Sequence, residues 1–75
     1  MSIDDNNKLV DRAKTRKNGV YKYGWYYYAV KNGKMVAFVE LNGDMYACDP
    51  SFNSHIRKVD RANRRQELLQ WLMAS

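Results

Sequence analysis

Three kinds of side chain in this 75-residue sequence could do chemistry: one histidine, one cysteine, and a set of basic residues interleaved with aromatics. His55 could serve as a general base or touch a phosphate within its basic segment, but a lone histidine beside a helix start is more often a packing or surface residue. Cys48 lies near the end of an expected strand on an apolar face, where the default is a buried, inert thiol. One cysteine excludes an intramolecular disulfide, and one cysteine with one histidine cannot build a structural zinc site. The sequence holds no glycine-rich phosphate loop, no Ser-His-Asp order and no metal-ligand spacing. It reads as non-enzymatic and without a cofactor.

The basic and aromatic residues remain, and their chemistry is recognition. Arg57, Arg61, Arg64 and Arg65 are spaced i, i+4, i+7, i+8. On a helix they would present four guanidinium forks to one side, a match for a phosphate backbone. Lys14, Arg16 and Lys17 form a basic arm, and Lys22 follows on the first strand. Tyr21, Tyr23, Trp25 and Tyr27 alternate through that strand and would line one face as a stacking platform. The net charge of +5 favours anionic partners, and it is unevenly spread. Residues 1–7 carry −2, residues 8–34 carry +7, residues 35–50 carry −3, residues 51–66 carry +4 and residues 67–75 carry −1.

The elements that must position these groups centre on residues 18–48, which hold eight of the ten aromatics and all three Asn-Gly pairs. Asn-Gly between β-rich runs is a strong hairpin signal, since a type I′ turn needs φ > 0 at both central residues. Strand one is expected at Val20 to Val30, with a bulge or close backbone approach at Gly24. Strand two follows at Lys34 to Leu41 and a short strand three at Asp44 to Cys48. Asp49-Pro50-Ser51 then ends the sheet. Residues 1–17 read as a polar basic arm or a short helix, in which Ser2-x-x-Asp5 would cap a turn carrying Leu9, Val10 and Ala13. Residues 18–75 read as one small domain. The expected fold is α+β: a three-stranded antiparallel meander packed with a C-terminal helix or helix pair.

Two-residue turns would set Lys31 opposite Lys34, Val30 opposite Met35, Tyr28 opposite Ala37 and Tyr27 opposite Phe38. Tyr46 would then lie beside Val39, or one residue away if the second loop holds three residues. Both sheet faces come out apolar or aromatic, where a half-exposed sheet normally shows a polar side. Residues 51–75 read as helix, with Phe52, His55, Val59, Ala62, Gln66 and Met73 on one side and the arginines opposite. Leu68 and Leu72 fall out of phase with that apolar side. Either the helix breaks near Asp60–Asn63, with Asn63 capping a second helix from Arg64 to Met73, or Leu68, Trp71 and Leu72 meet a second subunit. A homodimer is the expectation, because a chain this short has a small core of its own.

The acidic, polar start and the lack of a long apolar run point to a soluble cytoplasmic protein with no membrane partner. The element order is loosely similar to double-stranded-RNA-binding domains, and a sheet followed by a helix also resembles the arm-binding domains of phage integrases. The segment Asp49-Pro50-Ser51-Phe52-Asn53-Ser54 lacks the lysine-rich helix start of the former, so no family is assigned. Size and composition resemble small phage or mobile-element accessory proteins. Two functions follow as expectations. One is nucleic-acid binding through Lys14, Arg16, Lys17, Lys22, Arg57, Arg61, Arg64 and Arg65 with the aromatic face. The other is an adaptor or inhibitor that engages a host protein through the same tyrosines.

Overall fold

A computed structural model describes residues 2–48 and 55–74, with side chains described for 2–48 and 57–74. The chain runs α1 (Ile3–Ala13), β1 (Gly19–Tyr23), β2 (Tyr26–Lys31), β3 (Lys34–Val39), β4 (Asp44–Ala47), β5 (His55–Lys58), a 3-10 turn (Arg61–Asn63) and α2 (Arg64–Ala74). The strands form one antiparallel sheet in the order β1-β2-β3-β4-β5. The architecture is thus α+β with a helix at each end, and the expected three strands are five.

The two extra strands have separate causes. Gly24 is not a bulge within one long strand. It adopts φ +56° and opens a two-residue turn, Gly24-Trp25, that sets Tyr23 opposite Tyr26. Glycine at the first central position is the requirement of a type II′ hairpin. β5 falls where a helix was expected. Residues 55–58 pair with β4, which would otherwise stand as an open edge, and that pairing outweighs the helical pattern. Asp49 to Ser54, including the expected sheet end at Pro50 and the helical position of Phe52, lie outside the described residues.

The Asn32-Gly33 turn forms as expected, with φ +55° and +76°, and Lys31 faces Lys34. Beyond Val30 the expected register fails, because a bulge adds one residue to β3. Tyr28 therefore faces Phe38, Tyr27 faces Val39 and Ala29 faces Ala37. The bulge lets Met35 fill the core on one side of the sheet, while Val36 and Ala37 both turn to the other. The second loop holds three residues. Gly43 N–H donates to the Glu40 carbonyl (3.0 Å) and Glu40 N–H to the Asp44 carbonyl (2.9 Å), with Gly43 at φ +95°. That geometry is a turn closed by a left-handed glycine, and it places Tyr46 beside Phe38.

Each apolar face is covered from within the chain. α1 starts at Ser2, whose Oγ accepts from Asp5 N–H (3.2 Å), and it buries Leu9 and Ala13 against Tyr28, Val30 and Met35. α2 buries Leu68 and Leu72 on the opposite face against Ala29, Ala37, Val39 and Met45. The misphasing of Leu68 and Leu72 disappears because residues 55–58 form β5 instead of helix, so the helical segment begins only after Asp60. The cap is Asp60 rather than Asn63: its carboxylate accepts from Ala62 N–H (2.9 Å), and Asn63 N–H donates to its carbonyl (2.9 Å). Trp71 is half-buried against the same core. The apolar area that suggested a second subunit is therefore occupied internally. Five strands also depart from the three-strand order on which the resemblances rested.

Candidate nucleic-acid interface

The start of α2 and the β1–β2 turn meet at one end of the sheet. Between them opens a cleft of about 500 Å³ lined by Lys22, Gly24, Trp25, Leu41, Asp60, Arg61, Ala62 and Arg64. The turn explains Trp25. Glycine takes the strained first position, and the indole at the second stands off the sheet, 70% exposed. Among the described residues, Ile3, Val10 and Met73 are the other large apolar side chains left exposed, and none of them lines this cleft. Lys22 reaches the cleft from β1, and Arg61 from the 3-10 turn that Asp60 caps. Among the described residues neither Lys22 nor Arg61 holds an ion pair.

Arg64 has a different job. Its Nη1 donates to the Trp25 carbonyl (2.6 Å) and more weakly to the Glu40 carbonyl (3.5 Å). Its Nε donates to the Arg61 carbonyl (3.1 Å), and its guanidinium lies 5.0 Å from the Tyr27 ring centroid. The planar fork ties α2 to two turns of the sheet and fixes the floor of the cleft. Its donors face protein carbonyls, so it positions Trp25 and Arg61 rather than offering a bare cation.

The remaining basic residues scatter. Arg57 sits on β5 and pairs with Glu67 of α2 (2.6 Å), so the four arginines do not share one helical face. Arg65 is exposed on the first turn of α2. Lys14, Arg16 and Lys17 lie in the α1–β1 connection, which Asn18 ties to the Asn32 turn (2.9 Å). That is the far end of β2 from Trp25, roughly 17 Å away for five residue steps of a strand. Lys14 lies 3.5 Å from Asp11, and Arg16 lies over Tyr21 (5.2 Å).

Tyr21, Tyr23, Trp25 and Tyr27 do not form one face. The Gly24-Trp25 turn interrupts their alternation. Tyr21 and Tyr23 pack on the α1 side, the latter under Arg12 (5.0 Å), and the Tyr21 hydroxyl donates to the Lys17 carbonyl (2.7 Å). Tyr27 packs on the α2 side. Cys48 is exposed at the end of β4, where packing on one side still pushes its thiol up to about 11, so little thiolate exists near pH 7. The side chain of His55 lies outside the described residues.

Four of the expected site residues, Lys22, Trp25, Arg61 and Arg64, are thus brought together. Leu41 and Asp60 complete the cleft without having been anticipated. Asp60 is a good capping residue type in its own right, and it takes the cap that Asn63 was expected to hold. No protein family, curated protein or solved structure matches this chain.

Proposed function

We propose that this chain is a non-enzymatic nucleic-acid-binding protein that takes single-stranded DNA or RNA across the cleft at the start of α2. One base stacks on Trp25, and the flanking phosphates meet Lys22 and Arg61. The observation that carries this reading is the exposed indole in one cleft with Lys22 and Arg61, neither of which holds an ion pair among the described residues. Aromatic stacking beside basic side chains suits an unstacked strand whatever its sequence. Arg65, exposed on the first turn of α2 next to Arg64, adds a further cation for a longer strand.

The test is fluorescence anisotropy with labelled oligonucleotides of about ten nucleotides, within the site sizes of small single-strand binders, and a duplex control. Trp25→Ala is expected to weaken single-strand binding by roughly 1–3 kcal/mol with little change in salt slope. It keeps the fold, because Arg64 holds the Trp25 carbonyl and not its ring. Lys22→Ala and Arg61→Ala are each expected to lower the magnitude of the salt slope by about one. No binding at about 50 mM salt, where phosphate contacts are strongest, would sink the proposal, as would indifference to all three substitutions.

A further inference from the structure

A second hollow lies on the opposite face, between the start of α1 and the β3–β4 pair. It measures about 360 Å³ and is lined by Ser2, Ile3, Asn6, Phe38, Glu40 and Tyr46. We propose that this groove docks a cationic segment of a partner protein, one in which arginine or lysine alternates with apolar side chains.

The walls are aromatic and aliphatic. Phe38 and Tyr46 stack at 5.2 Å with 24° between their planes, and Tyr26 meets Phe38 edge-on at 6.3 Å. Ile3 stands at the rim, 80% exposed on the first turn of α1, where it serves no core. The rim is also acidic. Glu40 lines it just past the end of β3, while Asp5 of the first turn of α1 and Asp44 at the start of β4 lie close enough to act on its tyrosines. Their field reaches the rings. Burial first, then Glu40 and Asp5, raise the Tyr26 hydroxyl above its usual range. Tyr46 is raised by burial first, then by Glu40 and Asp44 and by its hydrogen bond to Glu40. Lys58 stands opposite Asp44 in the β4–β5 register.

Charge selects the occupant. The chain carries +5 overall, so an anionic aromatic groove runs against its general field and repels nucleic acid locally. A guanidinium or ammonium is attracted both by ring faces and by the Glu40 carboxylate. An apolar neighbour on the same segment covers Ile3. The groove and the Trp25 cleft lie on opposite faces and carry opposite charge, so either can fail without the other.

The test is anisotropy with a labelled peptide of five Arg-Leu repeats against its Glu-Leu counterpart. The Arg-Leu peptide is expected to bind at least about tenfold tighter, a difference of one decade in Kd. Glu40→Gln is expected to weaken it by up to about fivefold, the range of an exposed ion pair, and Ile3→Ser by about two- to fivefold through lost apolar contact. Neither side chain supports the core, and melting curves check that both variants stay folded. Lys22→Ala and Arg61→Ala leave peptide binding unchanged. Equal affinity for the two peptides overturns the proposal, and so does a loss that follows Lys22 and Arg61 instead. Sedimentation in which Ile3→Ser dissociates a wild-type oligomer also overturns it, by giving the groove to a second copy.

Discussion

Arg64 and Arg61 are three residues apart and do different work, because one faces carbonyl oxygens and the other faces solvent. Arg64→Ala is expected to cost about 2 kcal/mol, the order of a lost charged hydrogen bond, visible as a lower urea midpoint. Arg64→Lys should recover little of it, since an ammonium cannot span three carbonyls as a planar fork does. Arg61→Ala should leave the midpoint unchanged. Gly43 closes the β3–β4 loop in a conformation and a space that leave no room for a side chain. Its φ is +95°, and a Cβ built there would run into the Val59 carbonyl oxygen. Gly43→Ala should therefore lose about 2 kcal/mol or more, combining backbone strain with a clash that only movement of β5 relieves. Cys48 offers a pH test. Its thiol is raised from 9.0 to about 11, so folding disfavours the thiolate. Stability from this group is full below pH 9, the unfolded value, and is lost as pH rises toward 11. Alkylation of the native protein should show its midpoint near the upper value, moving to the lower one in denaturant.

At the scale of elements, the sheet is set by its turns and its sides by one bulge. Gly33→Val should disrupt the β2–β3 hairpin, because a β-branched residue resists φ +76°. An unchanged circular dichroism spectrum and melting temperature would show that the type I′ turn is not what holds that hairpin. α2 is held by its buried stripe rather than by amphipathic patterning. Leu68 is fully buried against Ala37, Val39 and Met45, so Leu68→Ala should cost roughly 2–5 kcal/mol. The same change at Met73, which is exposed, should cost almost nothing.

At the scale of the whole molecule, the two helices cover opposite faces of one sheet, and the charge divides with them. The acidic segments 1–7 and 35–50, far apart in the chain, meet at the Ile3–Phe38–Tyr46 groove. Lys22 and Arg61, from two different basic segments, meet at the Trp25 cleft. With Leu68 and Leu72 inside the chain's own core, unfolding should not require dissociation. The thermal midpoint should hold steady across roughly a thirtyfold range of protein concentration, whereas an obligate dimer's midpoint rises with concentration.

The sequence by itself determined what is local. Ser2 as a cap, Asn32-Gly33 as a type I′ turn and a helix that starts at Arg64 all follow from side chains that satisfy or bend the backbone within a few residues. Apolar content on both sheet faces was legible too. Tertiary structure decided what depends on partners distant in the chain. Gly24 reads equally as bulge or turn until β1 has β2 to pair with. Residues 55–58 carry a helical pattern and become a strand because β4 needs an edge partner. The one-residue bulge in β3 leaves no mark in the alternation of apolar residues on a sheet buried on both sides, since either face accepts them. That insertion moved Phe38 to the face of Tyr28, and the three-residue loop at Gly43 set Tyr46 beside it, so the two together decided the location of the second surface.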